Sequence, residues 1–147
     1  MLSQAERNQI IDLINREVVP AIGCTEPIAV ALCTARAAET LGGEPEKITV
    51  RLSANILKNA RGVGIPGTGM IGLPIAVALG ALVGRSEYQL EVLRDVTPEA
   101  VERGRRMIDG RRIAICLKKD VDEKLYIEAE AEAAGHRAVA VIAGGHP

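Results

Sequence analysis

Gly23-Cys24-Thr25-Glu26-Pro27-Ile28-Ala29-Val30-Ala31-Leu32-Cys33-Thr34-Ala35 is the stretch on which the reading of this chain turns. A glycine that permits close approach precedes a thiol, a hydroxyl and a carboxylate in three consecutive positions. Pro27 then pre-sets the first turn of a helix, and Thr25 is suited to cap it. The residues that follow are apolar and small, with little polar face, so the spacing predicts a buried helix over Pro27–Leu41 that stops at Gly42-Gly43. Cys24 falls just outside the N-terminus of this helix, where the macrodipole favours thiolate over thiol. Glu26 opposes that effect with its own negative charge. Two readings stand side by side: a reactive thiol at a helix start, or three residues that merely begin a helix beside a small buried cysteine.

Upstream, Ser3-Gln4-Ala5-Glu6 has the pattern of a capping box. Ile10, Ile11, Leu13, Ile14 and Val18 continue it as a helical stripe that ends near Pro20. Downstream, Lys47–Leu52 alternates Ile48, Val50 and Leu52 with polar residues and reads as a strand. Ser53, Asn55, Lys58 and Asn59 follow at its C-terminal end, where a short helical turn is expected. Gly62–Gly72 reads as a glycine-rich loop and Leu73–Leu82 as a second apolar helix. Tyr88–Leu93 is expected to be a strand. Thr97-Pro98-Glu99 starts a helix that stops at Gly110. Arg112–Leu117 is a further strand, with Cys116 expected in the core. Leu125–Ala133 and Arg137–Ile142 form a hairpin around Gly135-His136. Regular strand–helix–strand alternation is missing. The expected fold is α+β, a single domain over 1–147 with buried apolar helices packed on an antiparallel or mixed sheet.

Three motifs carry a resemblance. GCTEPIAVAL at 23–32, Ser53-Ala54-Asn55-Ile56-Leu57-Lys58-Asn59, and Val63-Gly64-Ile65-Pro66-Gly67-Thr68-Gly69 together resemble the N-terminal part of the L-cysteine desulfidase family, which is related to the alpha chain of iron–sulfur L-serine dehydratases. The resemblance implies β-elimination on a small amino acid, with a 4Fe-4S iron–sulfur cluster and no pyridoxal phosphate. It also implies that the 147 residues are the N-terminal portion of a longer catalytic unit. The remaining cluster ligands would then come from a C-terminal region or a second subunit.

Composition narrows the alternatives. Aromatic residues make up 1% of the chain, so the core is built from Ala, Val, Ile and Leu. A net charge of -1, with so few stacking rings, excludes an ordinary nucleic-acid surface. Arg103, Arg105, Arg106, Arg111 and Arg112 cluster, and a solvated helix end explains them better than an anion patch. The most apolar run, Met70–Gly84, is too short and glycine-rich to span a bilayer, and the N-terminus has no signal-peptide pattern. The three cysteines form no spaced framework, so reduced thiols in a cytoplasm are expected.

β-Elimination needs a base for the Cα proton, an acceptor for the leaving group, and an anchor for the carboxylate. Cys24 and Glu26 are the candidate bases, and Cys24 is equally a candidate cluster ligand. Asn55, Lys58 and Asn59 offer two amides and an ammonium to a carboxylate and an amino group. Thr25 and Ser53 add hydroxyls, and the backbone of Gly67-Thr68-Gly69 can form an anion nest. Cys33 follows Cys24 by nine positions, half a rotation away at about 100° per residue, so the two thiols do not ligate one metal. Gly67–Gly72 formally matches the GxGxxG dinucleotide fingerprint, but no buried strand leads directly into it. His136 and His146 have no ligand partner at useful spacing. A small amino-acid substrate and self-association are the expected partners, with neither nucleic acid nor membrane among them.

Overall fold

The computed structural model describes residues 9–14, 26–60, 64–65, 70–119 and 125–144. The elements in order are β1 (Gln9–Ile14), α1 (Glu26–Leu41), β2 (Lys47–Leu52), α2 (Ala54–Ala60), β3 (Gly64–Ile65), β4 (Met70–Ile71), α3 (Leu73–Val83), a 3₁₀ helix (Ser86–Glu91), α4 (Pro98–Asp109), β5 (Ile113–Leu117), β6 (Leu125–Ala133) and β7 (His136–Gly144).

Five strands form one mixed sheet in the order β1-β7-β6-β2-β5, and β3 and β4 make a separate two-stranded ribbon. β6 is antiparallel to both β2 and β7, while β1 joins β7 and β5 joins β2 in parallel. The β6–β7 hairpin turns at Ala134-Gly135, where both residues have positive φ, 53° and 80°. Such a turn matches the twist of the strands it joins.

One face of the sheet is apolar. Ile48, Val50 and Leu52 of β2, Ile127, Ala129 and Ala131 of β6, and Ala138, Ala140 and Ile142 of β7 are all buried. α1 lies on this face. Its alanines let the helix sit close, and the Cys33 thiol reaches the Ala140 carbonyl at 3.2 Å. α3 packs on α1, and α4 packs on α3. The α1–α3 contact is unusually close because it is made of small residues. A Cβ placed on Gly80 would lie 2.5 Å from the Ala31 carbonyl oxygen, and one on Gly84 would lie 2.9 Å from the Ala35 Cβ. Both residues of each helix are four apart and advance together, so α1 and α3 run parallel.

The opposite face carries charge. Arg51 Nη1 donates to Glu128 Oε2 at 2.7 Å and to Glu130 Oε1 at 2.9 Å. Arg137 Nη1 donates to Glu130 Oε2 at 3.2 Å, and the Tyr126 hydroxyl donates to Glu128 Oε1 at 2.8 Å. This pairing keeps Glu130 tolerable at 8% exposure.

The α+β expectation holds, with several local corrections. Residues 9–14 form a strand rather than a helix, paired in parallel register with β7, a tertiary pairing that overrides the local pattern. The capping-box residues 3–6, together with Val18 and Pro20, lie outside the described residues. Residues 86–91 form a 3₁₀ helix rather than a strand, with Gln89 at φ 57° breaking any extended run. Thr97 caps α4 as expected, its hydroxyl accepting from the Ala100 N–H at 3.1 Å. Cys116 is exposed, not core, because β5 is an edge strand and only its other face meets the helices. Arg103 and Arg112 of the arginine cluster pair with Glu44. Among the described residues, no helix is long and apolar enough to cross a membrane.

Candidate functional site

The turn 42–46 reverses the chain between α1 and β2, so the start of α1 belongs to the sheet end where β2 finishes. The Cys33 contacts fix the level. Its thiol meets the carbonyls of Ile127 and Ala140, and Ile127 is the register partner of Leu52. Seven residues of helix separate Cys33 from Glu26, about 10 Å at 1.5 Å per residue. The N-terminus of α1 therefore projects beyond the end of β2. Since α3 runs parallel to α1 in the register 80 to 31 and 84 to 35, its first turn at Leu73 stands beside the first turn of α1. Two positive helix ends sit side by side.

β2 delivers its successors to the same place. Ser53 is buried at 4% exposure, its N–H donates to the Tyr126 carbonyl, and its hydroxyl accepts from the Tyr126 N–H at 3.2 Å. It ties the end of β2 to the start of β6. α2 begins directly after it, and Asn55 and Lys58, three apart on one helix face, are both exposed. Asn59 continues that helix. The Lys118 N–H donates to the Leu52 carbonyl at 2.7 Å, which brings Lys118 and Lys119 to this end as well. These two lysines were not among the sequence candidates. Their only signal is a pair of cations directly after an apolar strand parallel to β2.

The expected site residues thus divide. Ser53, Asn55 and Lys58 gather at the end of β2, where α2 meets α1. Glu26 is the first residue of α1. Cys24, Thr25, Gly67, Thr68 and Gly69 lie outside the described residues, as do Val63, Pro66 and His146. His136 is exposed at the hairpin, and Lys47 and Glu132 beside it mark the far end of β2.

Cys33 and Cys116 do not fit an iron–sulfur cluster. Burial pushes the Cys33 thiol far above its usual range, against smaller opposing contributions from the backbone at Ala129 and Ile142. Cys116 is the register partner of Arg51 and shares the charged face, so the sheet separates it from Cys33. Among the described residues, no group of three or more His, Cys, Asp or Glu could hold a metal ion.

A cleft of about 430 Å³ opens at the opposite end, between the C-termini of α1 and α3, lined by Glu39, Glu44 and glycines. Helix C-termini and two carboxylates make it hostile to an anion. Glu39 is engaged by the Ser86 N–H at 2.8 Å.

The architecture is a layer of parallel helices on a mixed sheet, with a cationic end built from helix starts and lysines. Along nearly its whole length the chain is similar to proteins named UPF0597. It is 72% identical over 99% of its residues to a UPF0597 protein of Bacteroides fragilis and 73% identical over 97% to one of Bacteroides thetaiotaomicron. A UPF0597 protein of Photobacterium profundum is 47% identical over 95%. The chain spans about a third of the length of these relatives: 34%, 33% and 32% respectively. These matches correct the resemblance to the L-cysteine desulfidase and serine dehydratase families, since the relatives carry the name of a distinct family. Three short motifs are weaker evidence than identity along nearly the whole chain. No family model matches the chain, and no solved structure matches it.

Proposed function

We propose that this chain forms the substrate-holding part of an amino-acid lyase that carries out β-elimination on L-cysteine or L-serine. The observation that supports the reading is the juxtaposition of two parallel helix N-termini with Asn55 and Lys58 at one end of the sheet. Helix N-termini and an ammonium suit a carboxylate. The Asn55 side-chain carbonyl suits the substrate ammonium. Cys24 or Glu26, at the start of α1, takes the Cα proton as the bond to sulfide or hydroxide breaks. The electron pair of the C–H bond becomes the new Cα–Cβ double bond, and the enamine tautomerises and hydrolyses to pyruvate and ammonia. An iron–sulfur cluster, in this reading, draws its ligands from a further region or second subunit, joined by Cys24 where Glu26 is the base.

The test uses a polypeptide of the relatives' length that carries this region, assayed for pyruvate from each amino acid. Losing a charged hydrogen bond costs about 1.5–3 kcal/mol, so Lys58→Ala should raise KM about tenfold or more while kcat falls less. Cys24→Ser and Glu26→Gln, assayed separately, identify the base by loss of kcat. Wild-type kcat/KM in Lys58→Ala would refute the placement. Steady turnover by the 147-residue chain alone would refute its role as a part.

A further inference from the structure

β5 closes one edge of the five-stranded sheet, with β2 as its neighbour. The Ile48 N–H donates to the Arg112 carbonyl, and the Lys118 N–H donates to the Leu52 carbonyl. In a parallel ladder this turns the backbone of residues 112, 114, 116 and 118 toward β2, and turns that of Ile113, Ile115 and Leu117 outward. Among the described residues, no strand pairs with that outer edge.

Natural edges are usually blunted by charge, proline or a bulge. Ile113–Leu117 reads IAICL, with no charge and no proline, and its register with β2 is unbroken. Leu117 is 44% exposed, the exposed large hydrophobic among the described residues. The flanks are a different matter. Arg111 and Arg112 precede the strand, and Lys118 and Lys119 follow it. An antiparallel second copy centred on Ile115 would set Arg111 against Lys119, and like charges directly opposite destabilise a strand pair. A parallel copy would stack each cation on its own kind. The charge pattern that fits is an apolar strand with acidic ends.

We propose that the outer edge of β5 receives an extended strand of another polypeptide, apolar in alternation and acidic at both ends. Main-chain hydrogen bonds to Ile113, Ile115 and Leu117 supply the pairing, and Arg111, Lys118 and Lys119 select the partner, Arg112 being held by Glu44 and the Glu46 carbonyl.

The probe is a fluorescent acid-flanked nonapeptide, EEVTVTVEE, titrated into the 147-residue chain, and into a polypeptide of the relatives' length, beside its lysine-flanked counterpart, KKVTVTVKK. The acid-flanked peptide should bind at least about tenfold more tightly, and added salt should weaken it. Amide exchange at residues 113, 115 and 117 should slow on binding. Leu117→Pro removes an outward N–H and no bond to β2, so it should weaken binding about tenfold with the thermal midpoint little changed. If that variant fails to fold, the exchange map of the unaltered chain decides. No binding at millimolar peptide, equal binding of the two peptides, or unprotected amides at 113–117 would overturn the proposal. So would a dimer in sedimentation that Leu117→Pro abolishes, because the occupant would then be a second copy.

Discussion

Cys33 and Cys116 have the same side chain and opposite surroundings. Cys33 is fully enclosed between α1 and the sheet, and burial raises its thiol well above the ordinary value of 9.0. Cys116 is exposed on the edge strand. Mild alkylation of the native protein should therefore mark Cys116 and spare Cys33; mass mapping that finds Cys33 modified first would contradict this. The same burial has a pH consequence. The unfolded chain releases the Cys33 proton near 9.0 while the native state retains it, so stability from this group is whole below that pH and falls as pH rises further. Urea midpoints measured at neutral and strongly alkaline pH should drop less in Cys33→Ala than in the parent. A parallel drop would mean that Cys33 does not carry the effect. The Cys33 position was legible in the sequence, because it falls within an apolar helical run. Cys116 was not, because IAICL looks the same in a central strand and at an edge.

α1 and α3 hold the helical layer together through Ala31, Ala35, Gly80 and Gly84. Gly80→Ala should be costly despite alanine's higher helix propensity, since its Cβ would fall 2.5 Å from the Ala31 carbonyl oxygen. Overpacking of this kind typically costs about 1–3 kcal/mol, and the helices must part to relieve it. Gly104→Ala is the control. Its Cβ would meet the movable Ile75 Cδ1 at 3.0 Å, so the propensity gain of about 1 kcal/mol offsets most of the strain. Chemical denaturation of both variants checks the pair; equal stability would contradict the close-packing account. Both helices were legible from their apolar runs, and α1 also from its Pro27 start. Their mutual direction was not, because parallel packing depends on a contact between residues 49 apart. β1 was misread for a related reason: Ile10, Ile11, Leu13 and Ile14 satisfy a helical stripe and a strand almost equally, and pairing with β7 decides between them.

At the scale of the molecule, a sheet with one apolar and one charged face carries its helices on the apolar side. Shared direction then sends two helix starts, the end of β2 and the end of β5 to a common rim. The sequence announced the chemistry of Asn55 and Lys58, and the hairpin and strands that frame them. It did not announce Lys118 and Lys119, whose arrival depends on β5 lying parallel to β2. It also offered Ser53 as a substrate ligand without showing that its hydroxyl is held by the Tyr126 N–H. The central claim is that this rim binds the carboxylate of a small amino acid. The most direct test is a backbone-amide NMR titration with L-serine and L-cysteine beside their decarboxylated counterparts, ethanolamine and cysteamine. The amino acids should shift the amides of residues 26, 28–30, 53–58, 73, 75 and 76, and the amines should leave them in place. Shifts confined to the cleft around Glu39 and Glu44, or identical shifts from acids and amines, would contradict the account.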